Sequence, residues 1–186
     1  GTSEETGMED ARYFTAHYPA PDLSIVPDTG FPVCCAQRGS MTLSVEIPFA
    51  HEVTIQQSNN PSVTPEEITA VLPDGTALTV KGDPAHIFKA DGIDNAIVKL
   101  LKLLGERFPE DAEKLNNVAG LINSWHGETL GIDYADELSG ALQMGATAMA
   151  WEDGVLKVRV FIILPVSADA DEITARAHRK AQTVGA

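Results

Sequence analysis

The chain has 186 residues, 44% of them hydrophobic, which is enough to bury one substantial core. Its 27 acidic against 13 basic residues give a net charge of -14; this repels phosphate backbones, no Lys/Arg cluster reverses it locally, and nucleic acid is not an expected partner. No apolar run approaches the roughly 20 residues that span a bilayer and the N-terminus lacks the charged and apolar regions of a signal peptide, so the expectation is a cytoplasmic protein without a membrane partner.

The chain opens with Gly-Thr-Ser-Glu-Glu-Thr-Gly-Met, which sets Glu4 and Glu5 ahead of a helix start. Thr6 followed by Glu9 reads as a capping box, and the helix runs to about Tyr18, before Pro19. Taken alone, the Glu4-Glu5 pair is a solvated acidic turn. Leu23 to Val26 and Phe31 to Ala36 read as short strands around a Pro27-Asp28-Gly30 turn, which puts Asp28 at a strand end. Cys34 and Cys35 are neighbours without partner cysteines and read as reduced, partly buried thiols.

Met41 to Ile47 alternates as a half-buried strand, with Met41, Leu43, Val45 and Ile47 on one face. Gln56 to Thr64 reads as loop. Ile68 to Leu72 and Leu78 to Lys81 flank Pro73-Asp74-Gly75 as a hairpin. From Asp91 to Phe108 the positions of Ile93, Ile97, Leu100, Leu101 and Leu104 repeat at helical spacing, and Pro109 stops the run. Ala112, Leu115, Val118, Ala119 and Ile122 mark a second amphipathic helix ending near Gly127. Ala141 to Trp151 and Val155 to Leu164 form a hairpin about Glu152-Asp153-Gly154, closed by Pro165. A last helix starts near Asp169, carries Ile173 inward and leaves Arg176, His178, Arg179 and Lys180 outside. Strands and helices do not alternate strictly, so the fold class is α+β, with antiparallel strands carrying helices on one face.

Three segments resemble the dizinc dipeptidases of the aminoacylase and carboxypeptidase superfamily, in particular the Xaa-His or carnosinase-like branch. They are residues 1 to 10 (Gly-Thr-Ser-Glu-Glu-Thr-Gly-Met-Glu-Asp), 26 to 33 (Val-Pro-Asp-Thr-Gly-Phe-Pro-Val) and 82 to 86 (Gly-Asp-Pro-Ala-His). Looser matches cover residues 92 to 96 and 164 to 169. The resemblance implies a peptidase acting on dipeptides, short peptides or acyl-amino acids through two zinc ions. It implies that Glu4 is the general base on a metal-bound water, that Glu5 and Asp28 are zinc ligands, and that His86 stabilises the oxyanion of the tetrahedral intermediate. Read without the family, His86 is a surface histidine or a satisfied core one.

The chain departs from the family's pattern at several points. None of its five histidines stands in the family's His-x-Asp metal motif, and two carboxylates cannot hold two four-coordinate zinc ions. Ile163 stands where the family has an arginine for the substrate's terminal carboxylate. Ser62 aligns with the family's substrate-binding asparagine, and Asn60 reaches that place only if its loop shifts. The expected organisation is therefore a catalytic-domain stub over residues 1–30, a lid or dimerisation domain over 31–168, and a C-terminal helix over 169–186 that begins the return to the catalytic domain. Such a fragment would be inactive alone, and family members dimerise through this lid or carry a doubled version of it. Two other readings stay open: a non-catalytic α+β binding or dimerisation module, and an amide deacylase of the same superfamily.

Overall fold

The computed structural model describes residues 9–23, 37–58 and 60–185. The chain divides into two compact units, Gly1–Cys35 and Ala36–Ala186. In the first, helix α1 (Glu9–His17) has Glu9 and Asp10 in its first turn, where carboxylates suit the positive end of the helix dipole. It buries none of its residues. Along it the Tyr13 and His17 rings stack at 4.0 Å and those of Phe14 and Tyr18 at 5.2 Å, both at i,i+4 spacing. The strands expected at 23–26 and 31–36 fall almost wholly outside the described residues.

The second unit is α+β. Strands β1 (Gly39–Pro48), β7 (Gln143–Glu152) and β8 (Val155–Leu164) form an antiparallel sheet in the order β1-β8-β7. Strand β8 is paired on both sides, and its burial alternates residue by residue, with Leu156, Val158, Val160 and Ile162 inaccessible to solvent. That alternation follows from the two-residue repeat of a strand with one face on a core. The β7–β8 turn uses Asp153 (φ 50°) and Gly154 (φ 84°), the left-handed pair that a two-residue hairpin loop needs to match strand twist.

Helices α2 (Ala96–Arg107), α3 (Ala112–Ile122) and α4 (Ala170–Gln182) supply the other side of the core. Leu100, Leu101 and Leu104 of α2 meet Leu115, Val118 and Ile122 of α3 in it, while Ile173 and Ala177 anchor α4. Asp169 caps α4 by accepting from the Asp171 and Glu172 amides at 2.9 and 3.2 Å.

A second antiparallel sheet, β2 (Thr54–Gln57), β3 (Glu67–Val71) and β4 (Ala77–Lys81), has its centre in Ile68 and Ala70. Its strand β2 occupies part of the segment read from sequence as loop. The Gln57 side chain explains how so polar a strand is held: its Nε2 donates to Met149 O at 3.3 Å and its Oε1 accepts from Met149 N at 3.2 Å. A carboxamide carries the same donor and acceptor as a peptide group and so extends the pairing to β7. A two-stranded ribbon, β5 (Ala135–Asp136) with β6 (Gly140–Ala141), precedes β7.

Helix α2 begins at Ala96, five residues beyond the start that its apolar spacing suggests. Gly92 has φ 74°, which breaks the helix there. Residues 91–94 instead serve as an anchor: Asp94 O accepts from Asp83 N at 2.8 Å, and Asp94 N donates to Asp83 Oδ2 at 3.1 Å. Asn95, 4% exposed, is the true cap, with Oδ1 accepting from Ile97 N and Nδ2 donating to Ala146 O, each at 2.9 Å. Helix α3 likewise stops at Ile122, before Gly127.

Candidate active site

Strand β4 ends at Lys81 and the chain then approaches the start of α2 more closely than a side chain permits. A Cβ on Gly82 would lie 2.5 Å from Asp94 O and 2.6 Å from Ala96 N, both backbone atoms. Glycine is needed here for space, and the contact fixes the direction in which residues 83–86 leave the sheet.

That segment is zipped against residues 60–64. Thr64, 1% exposed, donates from its amide to Ala85 O at 3.0 Å, and its hydroxyl accepts from Ala85 N at 2.9 Å while facing Asp83 O at 2.8 Å. Val63 forms a bridge with His86, and Ile87 N donates to Ser62 O at 3.0 Å. A 3-10 turn, Ile87–Lys89, follows, with Ile87 buried. The structure therefore brings His86, Ser62 and Asn60 to one place, although the sequence separates them by more than twenty positions.

The His86 ring is half-buried. Its Nδ1 accepts from Phe88 N at 3.4 Å, and its centroid lies 4.5 Å from that of Phe88. An acceptor at Nδ1 puts the proton of the neutral imidazole on Nε2, so the ring presents an N–H donor on the side away from its own backbone. Ser62 and Asn60 are engaged with each other: Asn60 Oδ1 accepts from both Ser62 N at 3.1 Å and Ser62 Oγ at 3.2 Å. This Asx-type turn occupies the Asn60 carbonyl and leaves its NH2 without a hydrogen bond among the described residues.

Two further side chains reach this end of the molecule, and the sequence reading did not single them out. Gln143 Nε2 donates to Phe88 O at 2.9 Å, and Gln143 Oε1 accepts from Arg38 Nη1 at 2.9 Å. They are 105 positions apart. The one signal available in the sequence was an isolated Arg38-Gly39 pair opening a strand in an otherwise acidic chain.

Glu4, Glu5 and Asp28 lie outside the described residues. Among the described residues no group of three or more His, Cys, Asp or Glu side chains gathers to hold a metal ion. Those residues therefore do not fit a zinc pair by themselves. Ile163 lies in β8 between Ser40 and Gln143 on the less buried face of the sheet. A groove of about 620 Å³ opens on the unit elsewhere, lined by Thr42, Ser44, Gln57, Met149, Lys157 and Arg159 among others, and His86 is not part of it.

The described residues thus define an α+β unit whose His86 turn offers one oriented N–H donor. In sequence the chain is similar to the curated protein "Putative dipeptidase YtjP" of Bacillus subtilis, 23% identical over a match that takes in 93% of this chain. The chain spans about half, 46%, of the length of that protein. No family model matches the sequence. Among the described residues no helix is long and apolar enough to cross a membrane.

Proposed function

We propose that the chain is part of a metal-dependent peptidase that hydrolyses dipeptides or other short peptides. The observation that carries this is the similarity to a protein named as a dipeptidase, which runs through nearly the whole chain. The orientation of His86 supports it. With Nδ1 occupied by the Phe88 amide, Nε2–H is the atom left to donate to a developing oxyanion. Such donors act most strongly where charge appears only in the transition state.

In this reading Glu4 accepts the proton of the attacking water and returns it to the leaving amine, as a general base that becomes a general acid. Glu5 and Asp28 are proposed as metal ligands, zinc being the metal that the resemblance implies, and the remaining ligands would come from outside this chain. Residues 31–168 are proposed as a lid that brings His86 to the substrate and that also offers a dimerisation surface. Ile163 favours a second reading in the same superfamily, deacylation of an amide, because an apolar side chain cannot grip a terminal carboxylate.

The test is Glu4→Ala in the full-length protein supplied with zinc or manganese. Dipeptide turnover should fall by a factor of at least about 10² while bound metal, measured by elemental analysis, stays unchanged. Full turnover in that variant would remove Glu4 as the base.

A further inference from the structure

The groove of about 620 Å³ lies where the two larger sheets are joined by Gln57 and Met149. Its floor is the outer face of β1-β8-β7, and β2 forms a wall through Ile55, Gln56 and Gln57. One cross-strand row of the floor is Ser44-Arg159-Ala148, and the next is Glu46-Lys157-Ala150. Ala148 and Ala150 end at Cβ, which leaves the space beside Arg159 and Lys157 open as groove.

The polar side chains here fall into two sets. Lys157 Nζ is bonded to Glu152 Oε2 at 2.6 Å, and both ends of the Gln57 carboxamide are taken by Met149. Thr42, Ser44, Gln56 and Arg159 form no side-chain hydrogen bond or ion pair among the described residues. Arg159 is half-buried on the central strand of its sheet, whereas Arg38 donates to four acceptors and Arg176 faces Asp133. The charged residues lining the groove are Arg159, Lys157 and Glu152, so it carries one positive charge in excess within a chain of net charge -14. A half-buried cation without a partner has lost hydration that an entering anion restores.

The unspent donors come from three strands: the five N–H groups of the Arg159 guanidinium on β8, the hydroxyls of Thr42 and Ser44 on β1, and the Gln56 carboxamide on β2. Donors on several sides match a tetrahedral oxyanion better than a planar carboxylate, and arginine binds phosphate through its fork. We propose that this groove is a binding site for the phosphate group of a small molecule, with Arg159 as its anchor. Its volume falls within the range of about 300–1,000 Å³ that holds small ligands, which leaves room for an organic part against Ile55 and Met149. The site is separate from the His86 turn and independent of the peptidase reading.

The test is titration of this 186-residue chain with glycerol 3-phosphate at fixed ionic strength. The NMR resonances of Arg159 Nε–H, the Ser44 amide and the Gln56 carboxamide should shift together with a Kd of about 1 mM, while Arg38 Nε–H stays in place. Arg159→Gln should weaken binding at least about 10-fold. Ser44→Ala, at an exposed position, should weaken it about threefold, and it keeps the test decisive if Arg159→Gln disturbs the sheet. Inorganic phosphate serves as the second probe: weaker binding than glycerol 3-phosphate assigns the site to phosphate esters, equal binding to free phosphate, and both support it. Propionate that moves the same resonances with equal affinity would overturn the phosphate assignment. Absence of shifts, shifts unchanged in both variants, or shifts of the same size at Arg38 and Arg179 would overturn the site.

Discussion

The two larger sheets of the second unit are stabilised differently. In β1-β8-β7 the inward residues of β8 are fully buried against three helices, whereas in β2-β3-β4 only Ile68 and Ala70 of β3 are fully buried and β4 buries none of its residues. The first is held by burial of apolar area, worth about 25 cal/mol per Å². The second depends on a few placed contacts: the Gln57 amide on Met149, the Gly82 approach to α2 and the Thr64 clasp on Ala85. The less buried sheet is the one that leads into His86. The turn that carries His86 thus depends on individual atoms more than on buried area.

Substitutions that separate burial from placement break this comparison in order of effect. Ile162→Ala in β8 should cost about 3–4 kcal/mol, measured by denaturant unfolding of the second unit, because it opens a cavity at a fully buried position. A loss under about 1 kcal/mol would mean that the first sheet is not held by burial. Gly82→Ala should cost about 2–3 kcal/mol, since neither backbone atom within 2.6 Å can rotate away. It should also shift the His86 ring resonances, which Ile162→Ala should leave in place. Gln57→Leu should cost about 1–2 kcal/mol and speed hydrogen exchange at the Met149 amide, with little change at the paired amides of β8. Unchanged exchange at Met149 would show that the two sheets are joined by something other than that carboxamide.

Much of the architecture was legible because it is written in short-range pattern. The alternation from Met41 to Ile47, the helical repeat of Leu100, Leu101 and Leu104, the Asp153-Gly154 turn and the helix start near Asp169 all lie where the sequence puts them. The errors share a cause. Strand β2 was missed because Gln56 and Gln57 look like loop, and a glutamine that serves as a strand partner cannot be recognised without its partner. The start of α2 was misplaced because Ile93 fits the helical period while the Gly92 backbone and the Asp83–Asp94 clasp rule the helix out.

The candidate site divides along the same line. His86 was singled out through a local motif, and Ser62 and Asn60 through the asparagine pattern of the resembled family; their gathering into one place required the long-range pairing of residues 60–64 with 83–87. Arg38, Gln143 and Phe88 had no motif to mark them, and their juxtaposition depends on strand order and on side chains that span it. Apart from β2 and the start of α2, the sequence alone determined which of the described segments are strands, helices and turns, because backbone preference and periodic burial act over a few neighbouring residues. The tertiary structure alone decided which polar groups meet, because those distances are fixed only once the sheet is paired and the helices are packed on it.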